Sequence, residues 1–489
     1  MTGNLRHLAL IGTVIALLTA TPCFAQFVPA DPAGQGLRPL TDAIEINLDV
    51  VADSMEGSNN VAITQDGKIV IGWEDDNSGI GAGIRLFNSD LTNIPWANDL
   101  EGNNVSSFYY DDGSPTCDIS GWAPKVKPNW FGPGFGMGAW AFGFPIADCG
   151  PPIASLEAVA EDDEGWENEF PAVQMYEADG TPILPVRCGV TDEVAQPVGT
   201  IRMGDFCYLS DGSLAIAGEC RQDEANVEMF GLAAPGKAVI LGIVKAGQQF
   251  PETVTRLTES TASSEMWGGI APFSNGFAAR FALSGQGVNL RYFDNNGNPI
   301  TGDIALSQFG EGDLAGVLGQ GGRGDGEGLA SNGNNRVAVV TKVDYDGNLG
   351  REVYAATFDD QGNLVAGPIN VSADNEYNNA DRVKVAVGPD GSFICVWDDD
   401  DILLPDRVTL GRIMNPDGSF ATEIMALDNR FNIATMDQPG TTQKPKVTWR
   451  GNKICVLIES THSNPGGSSS LAARVFEYGA TGVDDWSIY

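Results

Sequence analysis

Histidine is almost missing from this chain, with 2 in 489 residues, His7 and His462. A Ser-His-Asp triad, a Cys-His pair or a histidine-rich metal site would have to be built on His462, because His7 lies in a segment expected to be removed. His462 sits in Ser460-Thr-His-Ser-Asn-Pro-Gly-Gly-Ser-Ser-Ser, which reads as a surface loop and not as the setting of a general base. Basic residues are scarce as well, at 28 Lys+Arg against 65 Asp+Glu, and the net charge is -37. A field of that sign repels nucleic acid and anionic lipid, so neither is expected as a partner. After the first 25 residues no apolar run reaches the length of a membrane-spanning helix, and membrane insertion is not expected. CxxC metal spacing is absent.

What the chain has is glycine, at 61 residues, with aromatic and β-branched residues in short runs between Gly/Asp/Asn clusters. That punctuation belongs to an all-β protein, and a hydrophobic content of 42% is enough for a sizeable core. Residues 1–25 follow a secretory plan: Arg6 and His7, an apolar run from Leu8 to Leu18, then Thr-Ala-Thr-Pro-Cys-Phe-Ala. Cleavage after Ala25 would leave Gln26 first, a Pro/Gly-rich segment over 26–41 and a repetitive domain over 42–489. The expected location is secreted or periplasmic. Oxidising surroundings permit disulfides, and Cys117 with Cys149 is the expected pair, while Cys188 pairs with either Cys207 or Cys220. Cys395 and Cys455 fall in apolar strands and read as small buried hydrophobes.

Self-similarity at a long period carries most of the information. Asp66-Gly67-Lys-Ile-Val-Ile-Gly-Trp73 parallels Asp390-Gly391-Ser-Phe-Ile-Cys-Val-Trp397. Gly134, Gly212, Gly276, Gly333 and Gly451 open comparable strands, and the seven glycines lie 67, 78, 64, 57, 58 and 60 residues apart. A second motif follows in most units, as Arg85-Leu-Phe-Asn88, Arg291-Tyr-Phe-Asp294, Arg412-Ile-Met-Asn415 and Arg474-Val-Phe-Glu477, leading into an Asp/Asn-Gly turn in the middle units. Each unit thus reads as strand A, a turn, strand B, a variable loop, strand C, a turn and strand D. Strand B is apolar at consecutive positions, so both faces of its sheet must be covered, as they are between neighbouring blades. The expected fold is all-β, a seven-bladed β-propeller of four-stranded antiparallel blades. Its third unit departs furthest, leaving blade boundaries around 150–250 open. The alternating Ile44, Ile46, Leu48 and Val50 are expected to supply the outer strand of the seventh blade, with Asp485 to Tyr489 as the rival.

These turn-strand and strand-turn motifs resemble the repeats of secreted bacterial β-propeller proteins. The resemblance covers about residues 43–480 and implies the architecture, with no single reaction attached. The repeated arginines are expected to pair with nearby Asp or Glu.

The loop after strand B is acidic in unit after unit: Glu74-Asp75-Asp76, Glu161 to Glu164, Glu219 with Asp223 and Glu224, Asp344 with Asp346, and Asp398 to Asp401. In a propeller these loops share one face, so the carboxylates would gather on one rim. Such a rim stays hydrated or is neutralised by a hard cation such as Ca²⁺, with Asp75, Asp76, Asp344, Asp346, Asp399, Asp400 and Asp401 as ligands. Two functions follow. One is a non-catalytic propeller that binds an extracellular glycan, protein or divalent cation through the acidic rim. The alternative is a carbohydrate-active hydrolase or lyase that uses paired carboxylates.

Overall fold

The computed structural model describes residues 28–46, 61–74, 82–94, 104–105, 107–109, 115–119, 124–142, 169–189, 201–220, 238–259, 265–320, 328–344, 350–373, 379–399, 407–431, 442–460 and 470–479. They form a seven-bladed β-propeller of antiparallel blades. Blade 1 runs Val61–Ile63, Ile69–Glu74, Ala82–Phe87, Asn104–Val105, and blade 2 runs Lys125–Pro128, Phe135–Phe142, Glu169–Tyr176, Pro182–Cys188. Blade 3 comprises Ile201–Tyr208, Leu214–Cys220, Ala238–Val244 and Val254–Arg256, and blade 4 comprises Glu265–Phe273, Gly276–Leu283, Gly287–Asp294 and Ile304–Ala305. Leu329–Ser331, Val337–Asp344, Arg351–Phe358 and Leu364–Asn370 make blade 5, and Ala380–Val387, Phe393–Asp399, Val408–Met414 and Met425–Ala426 make blade 6. In blade 7, strands A to C are Thr442–Arg450, Lys453–Ser460 and Ser470–Tyr478. The third unit, the least regular in sequence, forms an ordinary blade. Blade 2 carries an addition: the far end of its strand B pairs with an inserted hairpin, Ala141 opposite Ile119.

Strand B is the hydrophobic centre of each blade. All of Phe393–Asp399 is buried, and its alternate residues feed two cores, Phe393, Cys395 and Trp397 toward blade 5 and Ile394 and Val396 toward blade 7. The A-B turn glycines serve two physical needs. Gly67, Gly212 and Gly391 take positive φ. Gly276 has no such φ, but a Cβ there would lie 1.9 Å from the Phe293 carbonyl oxygen.

Arginine on strand C works as a clamp between blades. Arg412 Nε donates to Thr422 O, just before its own strand D, at 3.0 Å, and its Nη1 to Val371 O, where blade 5 ends, at 3.1 Å. Arg291 repeats this with Thr301 O and Leu257 O, and Arg474 with Thr41 O and Leu427 O. Beside these carbonyl bonds, which the sequence reading did not foresee, Arg291 lies 3.8 Å from Asp303, an ion pair of the expected kind. Where strand C turns inward, the carbonyls ending the preceding blade would otherwise be buried without a donor. In blade 3 the same slot holds Gly242, and a Cβ there would meet Gly189 O at 2.6 Å, so the two backbones approach directly.

The N-terminal segment closes the ring. Leu37–Pro39 and Ile44–Glu45 both pair antiparallel with Ser470–Tyr478, which makes them the outer strand of blade 7. Pairing begins upstream of Asp42, and Ala30 also bridges to Met425 in blade 6. Residues 47–60 and 480–489, which hold Leu48, Val50 and the rival strand, lie outside the described residues.

The cysteine pairings are corrected in part. Cys188 and Cys207 are both free and buried, so neither pairing proposed for Cys188 forms. The reason is radial distance: Cys188 ends the outermost strand of blade 2, whereas Cys207 lies on the innermost strand of blade 3. Cys149 and the side chain of Cys117 lie outside the described residues. Cys395 and Cys455 are fully buried, and burial pushes both thiols well above the usual range. They are inert core residues, as expected.

Candidate functional site on the loop face of blades 5 to 7

The propeller axis offers little room. Innermost strands of all seven blades line a cavity of about 60 Å³, with Val61, Val126, Ile270, Leu329, Val385 and Val447 in its wall. That volume takes a few waters. At the A-B turn end Trp130 of blade 2 packs against Gly333 of blade 5, where a Cβ would sit 2.8 Å from the indole. Arg450 holds the Trp130 loop there by donating to Asn129 O and Trp130 O. Half-buried, its guanidinium falls to about 10, because burial outweighs the opposing charge of Asp66. Midway along the axis, Asp205 joins three blades: it accepts from Lys127 of blade 2 at 2.9 Å and from the Ile270 N–H of blade 4 at 3.0 Å. These groups hold the ring together.

The opposite end of the blades, where strands A begin and strands B finish, gathers charge. Asp381, on strand A of blade 6, accepts from Lys342 of blade 5, and its other oxygen lies 3.6 Å from Arg351 Nη1 and 3.9 Å from Arg407 Nη1. Asp398 stands directly opposite Asp381 in the strand register. Its Oδ2 accepts from Lys444 N–H at 2.9 Å and from Arg382 Nη1 at 3.2 Å, and lies 3.6 Å from Arg407 Nη1. Lys444 Nζ in turn meets Glu459 Oε2 at 3.3 Å. Arg382 and Lys444 occupy equivalent bulges at the start of strands A in blades 6 and 7, both with positive φ, 47° and 49°. Each bulge sets its basic side chain against a carboxylate of its own blade, Arg382 on Asp398 and Lys444 on Glu459, while the Lys444 N–H crosses to blade 6.

The charges are layered. Arg351, Lys342, Arg382 and Arg407 have side-chain exposures of 41%, 38%, 28% and 26%, whereas Asp381, Glu459 and Asp398 have 16%, 3% and 1%. Four cationic side chains meet the solvent, while the carboxylates lie beneath with Lys444, which is 10% exposed. The two opposed aspartates also differ in proton affinity. Burial acts to raise the Asp381 carboxyl, but the Lys342 hydrogen bond and charge outweigh it and hold the group below the usual range. At Asp398 burial wins over the Lys444 N–H and the charges of Arg382 and Arg407, and the carboxyl is held above the usual range. Asp398 Oδ1 has no hydrogen-bond partner among the described residues. Environments that push two carboxyls apart are the usual setting for acid-base roles.

This inequality has a consequence for stability. A carboxyl whose folded pKa is raised above its unfolded value of about 3.9 favours the fold fully below that value, and the contribution is lost as pH rises through the folded pKa. The stability of the parent protein minus that of Asp398→Asn is therefore expected to grow as pH falls from 7 toward 4. Paired melting curves at several pH values measure it, and parallel dependences would contradict the assignment.

The acidic-rim residues fare differently. Asp399 is fully buried and accepts from Asn379 N–H at 3.1 Å and from Trp397 Nε1–H at 3.3 Å, so it belongs to the interior and not to a hydrated rim. Asp344 ends strand B of blade 5 opposite Arg351. Asp75, Asp76, Asp346, Asp400, Asp401 and His462 lie outside the described residues. Among the described residues no group of three or more His, Cys, Asp or Glu is placed to hold a metal, and no helix is long and apolar enough to cross a membrane. The members of this cluster that the sequence reading passed over are the basic ones: Lys342, Arg351, Arg382, Arg407 and Lys444 are scattered singly over three blades.

No family model matches the chain, and no curated protein matches it. Among solved structures, it is similar to an α-L-arabinofuranosidase of Fusarium graminearum bound to arabinobiose, at 8% identity and TM-score 0.39, covering 89% of this chain and 97% of that one. An acylaminoacyl peptidase of Pyrococcus horikoshii matches at 9% identity and TM-score 0.40, over 86% of this chain and half (50%) of that one. An α-L-arabinofuranosidase of Podospora anserina solved with cellotriose matches at 10% identity and TM-score 0.30, over 56% of this chain and 90% of that one. Such distant likeness concerns architecture alone.

Proposed function

We propose that the chain is an exported, non-catalytic propeller that binds an extracellular glycan or protein surface through its loop face. Export rests on the basic, apolar and small-residue order of residues 1–25. The observation that carries the binding reading is the convergence of Lys342, Arg351, Arg382, Arg407 and Lys444 from three blades onto that face, while the axis is narrow and largely apolar. Calcium has a place in this reading at the acidic loops, through Asp75, Asp76, Asp344, Asp346, Asp400 and Asp401, with Asp399 committed to the interior.

A second reading is supported by one observation, the opposed pair Asp381 and Asp398 with their displaced proton affinities. In a hydrolase or lyase, Asp398 would donate the proton and Asp381 would act as the carboxylate. A glycan array and a panel of chromogenic glycosides, run on the mature protein with calcium and with chelator, separate the two. The binding reading expects retention without turnover, and its calcium component expects weaker retention in chelator. Turnover lost in both Asp381→Asn and Asp398→Asn, with folding intact, would replace it by the hydrolytic one.

A further inference from the structure

Which glycan such a face would take is indicated by the layering of charge around Asp381 and Asp398. In a chain with 65 carboxylates to 28 basic groups, the members of this cluster that meet solvent among the described residues are cationic. A surface ion pair usually leaves both partners wet. Here the acids sit under the bases, with exposures of 16% for Asp381 and 1% for Asp398. One carboxylate, Asp381, serves Lys342, Arg351 and Arg407 together. Asp381 orients Lys342 and Arg351 while leaving them 38% and 41% exposed, as supporting groups do in a site built for an anion. Arginine is suited to the task, since its planar fork matches carboxylate or sulfate oxygens in pairs.

From this we propose that the loop face of blades 5 and 6 binds a saccharide bearing a single carboxylate or sulfate, held by Arg351, Lys342 and Arg407. This rests on the binding reading above and narrows its ligand. Long-range electrostatics limit the number of charges on that ligand. The chain as a whole carries -37, and its field reaches about 8 Å at physiological salt. A densely charged polyanion laid over this patch would run onto acidic surface, whereas one isolated acidic group fits within the patch.

Titration calorimetry on the full mature chain, at low and at physiological salt, tests this with five probes. They are a neutral oligosaccharide chosen from the array, the same oligosaccharide with one terminal glucuronate, the same with one sulfate, heparin, and an acidic peptide. The glucuronate or sulfate form is expected to bind at least about tenfold more tightly than the neutral parent, and to weaken with salt. The preference between the two acids identifies the group. Arg351→Gln, at an exposed position, should remove that tenfold advantage while the melting temperature stays unchanged. Lys342→Gln should repeat the result, so that one misfolded variant does not decide the matter. Equal affinity for neutral and acidic forms overturns this proposal while the glycan-binding reading stands. Tighter binding of heparin or of the acidic peptide also overturns it. Retention of no saccharide at all removes the glycan ligand and this proposal with it.

Discussion

Replacing Arg412 by methionine is expected to destabilise the protein by about 3 kcal/mol, far more than removal of an exposed ion pair, which is worth roughly 0 to 1 kcal/mol. The side chain is buried, at 3% exposure, and stacks its guanidinium 3.4 Å from the centroid of the Phe420 ring. Its donors reach Thr422 O within blade 6 and Val371 O at the end of blade 5. Methionine keeps the bulk but leaves both carbonyls without that donor, and the penalty for unsatisfied buried acceptors accounts for most of the loss. Arg412→Lys should recover only part of it, because one ammonium on a flexible stem cannot reproduce a fork aimed at two carbonyls. Chemical denaturation of the two variants beside Arg351→Gln gives the comparison. A loss below about 0.5 kcal/mol for Arg412→Met would mean that the clamp is incidental.

The clamp also shows what a sequence reading of this chain can reach. The Gly turns and the consecutive apolar residues of strand B led to the blade plan, because local propensity and the need to cover both sheet faces act on neighbouring residues. The arginine slot was visible too, but its partners were assigned to carboxylates. Backbone carbonyls leave no trace in a sequence. A trace did exist at the other end of the bond: Thr301 and Thr422 each follow their arginine by ten residues, and the Oγ1 of each also accepts a backbone N–H of the arginine's strand.

The candidate site was harder to see for a different reason. Asp398 to Asp401 reads as one acidic run, yet strand B extends through Asp399 and carries the first two into the interior. The five basic groups around them stand between 342 and 444, and only the closing of blades against one another brings them to one face. Spacing along the chain could not reveal that meeting.

Deleting residues 26–46 from the mature chain is expected to abolish cooperative unfolding, whereas trimming residues 480–489 should change stability by no more than about 0.5 kcal/mol. The register explains the difference. At the end of strand D the N–H of Leu257 bonds to Val239 O, that of Val371 to Val353 O, and that of Leu427 to Thr409 O. The N–H of Ile46 bonds to Leu471 O in the same way, so Ile46 completes blade 7 as those residues complete blades 3, 5 and 6. Thr41 stands where Thr301 and Thr422 stand: its Oγ1 accepts from Val475 N–H and its carbonyl from Arg474. Arg85 of blade 1 then donates to Ile46 O at 2.7 Å, the bond that each clamp makes to the preceding blade. Strand C of blade 7 is thereby paired on both edges, with Lys453–Ser460 and with the N-terminal segment, leaving no edge there for the C-terminus to fill. Removing the segment strips buried Leu37 and Ile46 from the core and frees the acceptors of Arg474 and Arg85. Those losses together are on the order of 5 kcal/mol, a large part of the stability of an ordinary domain, and they leave an unpaired strand edge prone to association. A synthetic peptide of residues 28–46 added to the deleted protein should restore a sharp transition in proportion to its concentration, since it binds only the folded ring. If the deletion melts like the parent and the peptide has no effect, the ring is closed by something other than its N-terminus.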